Sequence, residues 1–447
     1  MADRITDRGA APSGRPDALR SPGGAPALLR LLTFTTLFPN GEQPNHGIFV
    51  ENRLRHLVAS GEAESVVVAP VPYFPSRLQG FGDWGRYARV AAREERHGLV
   101  IHHPRFPVIP RVGMSAAPAL MAAALLGFIR RLAARGAGFD LIDAHYFYPD
   151  GVAALWIGQR LGCPVVITAR GTDVNLIPRY RLPRSMIRRA VAGAAGLIAV
   201  SSALKQAMVD LGAAPERITV LRNGVDLALF RPCDRDAARR ALGMSRPTLL
   251  SVGHLIERKG HDRVIAAMCD LPGFDLVIVG EGPERNRLEQ LSRRIGVAER
   301  VRLLGAQGHA ALPRIYTAAD ALVLASSREG WANVLLEAMA CGTPVVASNA
   351  WGNPEVVRTR EAGIIARRNT PEGLAEAVRT LFENPPARAA VRAYAEGFGW
   401  EETTQGQLAL FRRVLGKGSA SRSGAGRAQE VPQPDAQKQG AYPPTSN

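Results

Sequence analysis

Two glutamates, Glu329 and Glu337, carry the spacing in this chain that most directly points to chemistry. Glu329 stands in a polar loop, Ser326-Ser327-Arg328-Glu329-Gly330-Trp331. The loop follows the apolar run Ala321–Ala325, which reads as a buried parallel strand. Glu337 falls about one turn into a helix expected to open near Asn333 and to stop at Cys341-Gly342. A helix N-terminus offers free N–H groups and a partial positive charge, which suit phosphate. Carboxylates accept hydrogen bonds from sugar hydroxyls. An anion-binding helix end bracketed by two such carboxylates has the chemistry that a nucleotide-sugar requires.

Other residues fall at the ends of predicted strands. Gly253 opens the turn after the strand Thr248–Val252, and Arg258 and Lys259 bring adjacent cations to it, able to neutralise a diphosphate. Gly280 and Gly282 follow the next strand, where missing side chains permit close backbone approach to a base or ribose. In the first half, His145 follows a strand and is expected to face a cleft, in reach of a sugar hydroxyl or the reacting centre. Arg170 and Asp173 follow the next strand as candidate acceptor ligands. Gly47 precedes a helix and places its N–H near a phosphate. Asp234-Arg235-Asp236 has the D-x-D look of a metal site, but acidic residues also suit the first turn of a helix, and that reading is preferred here. No metal and no cofactor are therefore expected.

These residues need strands to present them. Strand and helix patterns alternate throughout, which predicts an α/β fold of two facing, doubly wound parallel sheets with a cleft between them. The expected organisation is a disordered tail (1–26), a Rossmann-like acceptor domain (27–226) and an irregular linker (227–247). A second Rossmann-like domain for the nucleotide-sugar (248–400), a terminal helix (401–416) and a second disordered tail (417–447) follow. The apolar run Ala116–Ile129 is interrupted by Pro118, is too short for a spanning helix and is followed by Arg130-Arg131. The Pro/Gly-rich N-terminus has no apolar core of a signal sequence. Four scattered cysteines, with no C-x-x-C, predict neither zinc nor disulfides and a cytoplasmic setting. The net charge of +16 admits nucleic acid, an anionic membrane or phosphorylated substrates. Without a nucleic-acid motif, phosphate ligands and an inner-membrane surface are expected and nucleic acid is not. Three Arg-flanked apolar segments, Met114–Arg135, Tyr180–Arg189 and Gln405–Arg413, fit either core helices with solvated edges or a peripheral membrane face.

The stretch Glu329–Glu337 resembles the E-x7-E signature of retaining family-4 glycosyltransferases. So do Gly253…Arg258-Lys259-Gly260, Gly280-Glu281-Gly282-Pro283 and Asn223-Gly224-Val225-Asp226. The opening Thr36-Leu37-Phe38-Pro39…His46-Gly47-Ile48 is similar to the branch that builds cell-surface polysaccharide, of teichuronic-acid or lipopolysaccharide type. The resemblance implies the GT-B architecture, with the terminal helix crossing back to the first domain. It implies transfer of a hexose-type sugar, with retention and without bound metal, from a UDP- or GDP-linked donor to a glycan or lipid-linked acceptor. Arg258 and Lys259 would stabilise the leaving diphosphate, Glu337 the ribose and Glu329 the donor sugar. Gly330, Trp331, Ala332, Asn333 and Val334 would line sugar and phosphate, Asn223 would contact substrate and His145 would sit at the reacting centre. The alternatives are a nucleotide-sugar epimerase or hydrolase of the same fold, and a non-catalytic scaffold subunit.

Overall fold

The computed structural model describes residues 27–77, 82–109 and 113–423. The N-terminal tail and most of the C-terminal one lie outside the described residues. Residues 417–423, assigned by composition to the second tail, continue the last helix.

The strands of the first half are β1 (Leu29–Phe34), β2 (Ala63–Val68), β3 (Val71–Pro72), β4 (Arg93–Arg96), β5 (Leu99–His102), β6 (Arg105–Phe106), β7 (Leu141–His145), β8 (Val165–Ala169), β9 (Gly196–Ala199) and β10 (Ile218–Val220). Its helices are α1 (Ile48–Ala59), α2 (Gly82–Arg89), α3 (Ala117–Ala134), α4 (Val152–Leu161), α5 (Thr172–Asn175), α6 (Arg181–Gly193) and α7 (Ser202–Asp210). Eight strands form one sheet in the order β10-β9-β8-β7-β1-β2-β5-β4, and β3 and β6 make a small separate pair.

The second half carries α8 (Arg235–Ala241), then β11 (Thr248–Val252), β12 (Asp275–Val279), β13 (Val301–Leu303), β14 (Ala321–Leu324), β15 (Val345–Ser348) and β16 (Gly363–Ala366). The interleaved and following helices are α9 (His261–Ala267), α10 (Arg285–Arg294), α11 (Leu312–Ala318), α12 (Asn333–Ala340), α13 (Asn353–Val356), α14 (Pro371–Glu383), α15 (Arg388–Glu396) and α16 (Glu401–Ser423). The second sheet is wholly parallel, in the order β13-β12-β11-β14-β15-β16.

The parallel strands are buried on both faces because helices cover both, which is why they read as short continuous apolar runs. On one side of the first sheet, α1 and α16 pack Val50, Leu54, Leu57, Leu408 and Phe411 against Leu29 and Leu31. On the other, α3, α4 and α6 bury Met121, Leu125, Ile157 and Ile187. The terminal helix therefore lies on the first sheet although it follows the second in sequence. Arg412 of α16 pairs with Glu62 at 2.5 Å, so one side of Gln405–Arg413 packs on the core of the first domain.

Three details differ from the sequence reading. Strand β4, Arg-Glu-Glu-Arg, pairs antiparallel at the sheet edge. It has no apolar signal because an edge strand is kept soluble by charge. Pro118 does not interrupt α3 but sits in its first turn, where its missing N–H costs nothing. The 227–247 segment is not a loose linker. Phe230, Ala238 and Met244 are buried, and α8 packs on α11. Asp320 holds it in place, taking Arg235 at 2.5 Å, Arg239 at 2.9 Å and the Thr248 N–H at 2.8 Å. Asp234 caps α8 by accepting from Ala237 N–H at 3.0 Å, so the D-x-D acids serve the start of a helix.

Register brings the chemistry together. Thr33 pairs with Asp143 and His145 with Thr168, so His145, Arg170 and the Thr35-Thr36 turn share the carboxyl edge of the first sheet. Val252 pairs with Val279, and Leu250 with Leu322. Gly253, Gly280 and Ser326 therefore leave the second sheet at its own carboxyl edge, where open α/β sheets bind ligands.

Candidate active site

Glu329 is the hub of the second-domain side. It is 6% exposed. Its carboxylate accepts from Lys259 Nζ at 2.6 Å and Ser326 Oγ at 2.7 Å, with Arg258 at 3.7 Å. Burial works against its charge, and the two cations and the hydroxyl outweigh burial, leaving its pKa below the ordinary carboxylate value. Arg258 also donates to the Arg328 carbonyl at 3.0 Å, which ties the β11 turn to the β14 loop. The three groups predicted to share one donor are therefore in mutual contact. Glu329 occupies the cations that a diphosphate would take.

The turn glycines have a different role from the one expected. A Cβ on Gly280 would lie 1.9 Å from the Gly253 carbonyl oxygen, and one on Gly282 2.4 Å from that of Leu255. Adjoining loop backbone, held by Leu255 N–H to Glu281 O at 2.8 Å, fills those spaces. Gly280 and Gly282 therefore let the β12 loop pack on the backbone of the β11 loop, while a Cβ on Gly253, at φ +156°, would meet only the Lys259 side chain. Gly47 caps α1 in a left-handed conformation and packs on the Leu37–Phe38 backbone.

Glu337 stands one helical stretch further on. Tyr316 of α11 donates its hydroxyl to Oε2 at 2.8 Å, and His309 Nε2 lies 3.9 Å from Oε1. Trp331 is packed inward, its ring 5.8 Å from the Arg222 guanidinium and 6.4 Å from Phe398. Ala332 is the N-cap of α12, and Asn333 and Val334 form its first turn.

The facing wall is a buried polar chain. His145 Nδ1 accepts from Arg170 Nη2 at 2.7 Å, which places the ring proton on Nε2, 3.2 Å from Asp143 Oδ2. Burial pushes the His145 pKa down to about 4, so the ring is neutral. Asp143 also accepts from Gln407 Nε2 at 3.0 Å, and Gln407 accepts from Arg53 Nε at 2.9 Å. Arg170 Nη1 and Arg53 Nη1 converge on Asn223 Oδ1 at 3.1 and 3.4 Å. Asn223 in turn donates to Asn333 Oδ1 at 3.3 Å. One network thus runs from the terminal helix, through His145 and Arg170, to the N-terminus of α12. Both His145 nitrogens already have protein partners, so the ring meets a sugar only if Arg170 moves. Asp173 is fully buried and accepts from the N–H groups of Phe147, Arg170 and Gly171. It holds the loop and is not free for a ligand.

The walls meet. A Cβ on Gly330 would lie 2.1 Å from the Arg170 carbonyl oxygen. Glu355 of α13 accepts from the N–H groups of Ser202 and Ala203, at 3.0 and 3.1 Å, at the positive end of α7, and pairs with Arg222 at 2.9 Å. Sequence reasoning missed Arg53, Asp143, Ser326, Tyr316 and Gln407. Asp143 left a trace as a polar residue alternating with His145 in an apolar strand, and Ser326 as the first residue of the Glu329 loop.

Comparison with known proteins agrees with this geometry. Residues 49–229 match the family model described as Glycosyltransferase Family 4, and residues 234–398 that of Glycosyl transferases group 1. The D-inositol 3-phosphate glycosyltransferase 1 of Catenulispora acidiphila is 33% identical over 351 residues, 71% of this chain and 82% of that protein. Sucrose-phosphate synthase from Thermosynechococcus elongatus superposes with a TM-score of 0.72 at 21% identity, over 87% of this chain and 99% of that one. HepE of Anabaena in complex with UDP-glucose gives 0.63 at 20% identity, over 85% and 97%. The chain belongs to the GT-B glycosyltransferases, with a family-4-type first half and a group-1 second half.

Proposed function

We propose that the chain moves a hexose-type sugar, with retention, from a UDP- or GDP-linked donor to a hydroxyl of a glycan or lipid-linked acceptor in cell-surface polysaccharide synthesis. The observation that carries this is the Lys259–Glu329–Arg258 cluster at the head of α12, set against the Arg170–Asn223–His145 wall. When donor enters, its diphosphate takes the two cations from Glu329, and the freed carboxylate accepts from sugar hydroxyls. Glu337, fixed by Tyr316, binds the ribose. The bond from the anomeric carbon to the diphosphate oxygen then breaks, with its electron pair staying on the diphosphate. Arg258, Lys259 and the α12 N-terminus stabilise that charge. The acceptor hydroxyl attacks from the same face, and its proton passes to the departing phosphate oxygen. No protein base is required, in keeping with a neutral His145 held on both nitrogens.

A second acceptor class, a phosphorylated polyol, draws support from the names of relatives such as the Catenulispora protein. It also draws support from Arg170, whose buried Nε has no partner. The test is a thermal-shift screen of nucleoside-diphosphate sugars, followed by transfer assays with the stabilising donor. Stabilisation of a few kcal/mol is expected at saturating donor. Product carrying the donor's anomeric configuration supports the reading, and inversion refutes it. Donor conversion without any acceptor points to an epimerase or hydrolase instead.

A further inference from the structure

Helices α3, α4 and α6 lie side by side on one face of the first sheet. None contains an aspartate or glutamate. At the overall frequency of 40 acids in 447 residues, roughly three or four would fall in helices of this combined length. The same helices expose Arg130, Arg131, Arg160, Arg184, Arg188 and Arg189, and among the described residues none of the six is ion-paired. Elsewhere exposed arginines do meet acids, as in Arg30–Asp140 and Arg246–Asp275. The charge of this face is therefore uncompensated.

The face is also apolar. Helix α3 has a mean hydropathy of 1.4, yet only 28% of its residues are buried. It lies flat on the sheet with Met121, Leu125 and Ile129 inward, and its outer side carries Ala119, Ala123, Ala124 and Gly127, half-buried Leu126, Phe128 and Leu132, and the arginines. Between α3 and α4 runs a groove of about 600 Å³ that includes Ala123, Leu126 and Trp156. Large apolar side chains stand out at the beginnings of α3 and α6, with Met114 43%, Tyr180 53% and Leu182 60% exposed. Those helix ends adjoin the carboxyl edge of the sheet, since the Tyr148 hydroxyl just past β7 donates to the Met114 carbonyl. Apolar residues at the cleft rim with arginines beyond them form the pattern of an interfacial surface.

We infer that the α3–α4–α6 face docks on an anionic lipid bilayer, with Tyr180, Leu182 and Met114 entering the headgroup region and the arginines facing acidic lipid. Docking in this way brings the cleft mouth to the bilayer, where a lipid-linked acceptor is presented. The binding itself is independent of the proposed transfer reaction and is measured without turnover. The experiment is co-sedimentation of the full chain with phosphatidylcholine vesicles, with and without phosphatidylglycerol. Binding is expected only to the phosphatidylglycerol vesicles and is expected to weaken as salt rises. Arg184→Glu/Arg188→Glu/Arg189→Glu should weaken partitioning by roughly a hundredfold or more, at about 1 kcal/mol per charge, with turnover on a soluble acceptor unchanged. The neutral triple to Gln should lose binding in the same sense, which covers the case of a reversal that misfolds. Arg293→Glu/Arg294→Glu on α10 should bind as wild type. The inference is overturned by equal binding to phosphatidylcholine alone, by triple variants that sediment like wild type, or by an equal loss in the α10 control. It is overturned equally if the same arginines bind duplex DNA or RNA and vesicles do not compete.

Discussion

Lys259→Ala separates the structural from the chemical role of the Glu329 cluster. Lys259 is the nearest partner of a carboxylate whose side chain is 8% exposed. Removing one partner of a buried ion pair costs about 3–5 kcal/mol. Here the loss should sit near the lower end, about 3 kcal/mol, because Ser326 Oγ at 2.7 Å and Arg258 at 3.7 Å remain. Because a depressed carboxylate pKa stabilises the fold above the unfolded value, this contribution is present at neutral pH and fades as pH falls through the native value. In catalysis the same lysine stabilises charge on the leaving diphosphate. Losing it should cost about 3 kcal/mol at the transition state, about a hundredfold in kcat/KM. The double variant Lys259→Ala/Glu329→Gln removes both charges, so no buried carboxylate is left unpaired. Its stability should return to within about 1 kcal/mol of wild type, while turnover stays lost. Urea denaturation and a donor-consumption assay on the same preparations read both quantities. Wild-type turnover in Lys259→Ala refutes the leaving-group role, and strictly additive destabilisation in the double variant refutes the pairing.

Three further outcomes follow from the geometry. Gly330→Ala places a methyl 2.1 Å from the Arg170 carbonyl oxygen. It should hold the walls apart, lower kcat by about a hundredfold and enlarge the particle in solution scattering without lowering the unfolding midpoint. Gln407→Leu strips a donor from Asp143 and an acceptor from Arg53, both buried. It should cost about 3 kcal/mol in urea denaturation and shift the 15N resonances of His145 away from the Nε2–H tautomer. His145 and His261 both have pKa values pushed by burial down to about 4, so the unfolded chain takes up protons first and stability falls as pH drops from 6.5 towards 4. Asp150 acts in the opposite sense. Burial raises it to about 7, so the fold gains as pH falls from 7 towards 3.8. His261→Asn should flatten the acid loss of stability and Asp150→Asn should steepen it, read from urea midpoints across that range.

Local sequence carried much of the architecture. The apolar runs that become β7, β8, β11, β12 and β14 are continuous because both faces of a parallel sheet are buried, and each ends in a polar or glycine-rich turn at the ligand edge. That is why Glu329, Glu337, Arg258 and Lys259 on the donor side, and His145 and Arg170 on the acceptor side, were legible in the sequence. Arg-Glu-Glu-Arg of β4 was not legible, since an edge strand has no apolar periodicity. The α8 segment was read as a linker because its anchor, Asp320, lies 85 residues from Arg235. The partners that decide what each site residue can do were beyond reach for the same reason. Arg53 and Gln407 are 354 positions apart, and Gln407 and Asp143 are 264 apart. No local pattern encodes such pairs, because their only requirement is that each buried donor and acceptor finds the other once the terminal helix has packed on the first sheet. Sequence alone therefore named the groups that can neutralise a diphosphate and bind a sugar. Tertiary structure alone decided that Glu329 pairs with Lys259 and Arg258, that His145 is neutral and held on both nitrogens, and that Asp173 serves the loop.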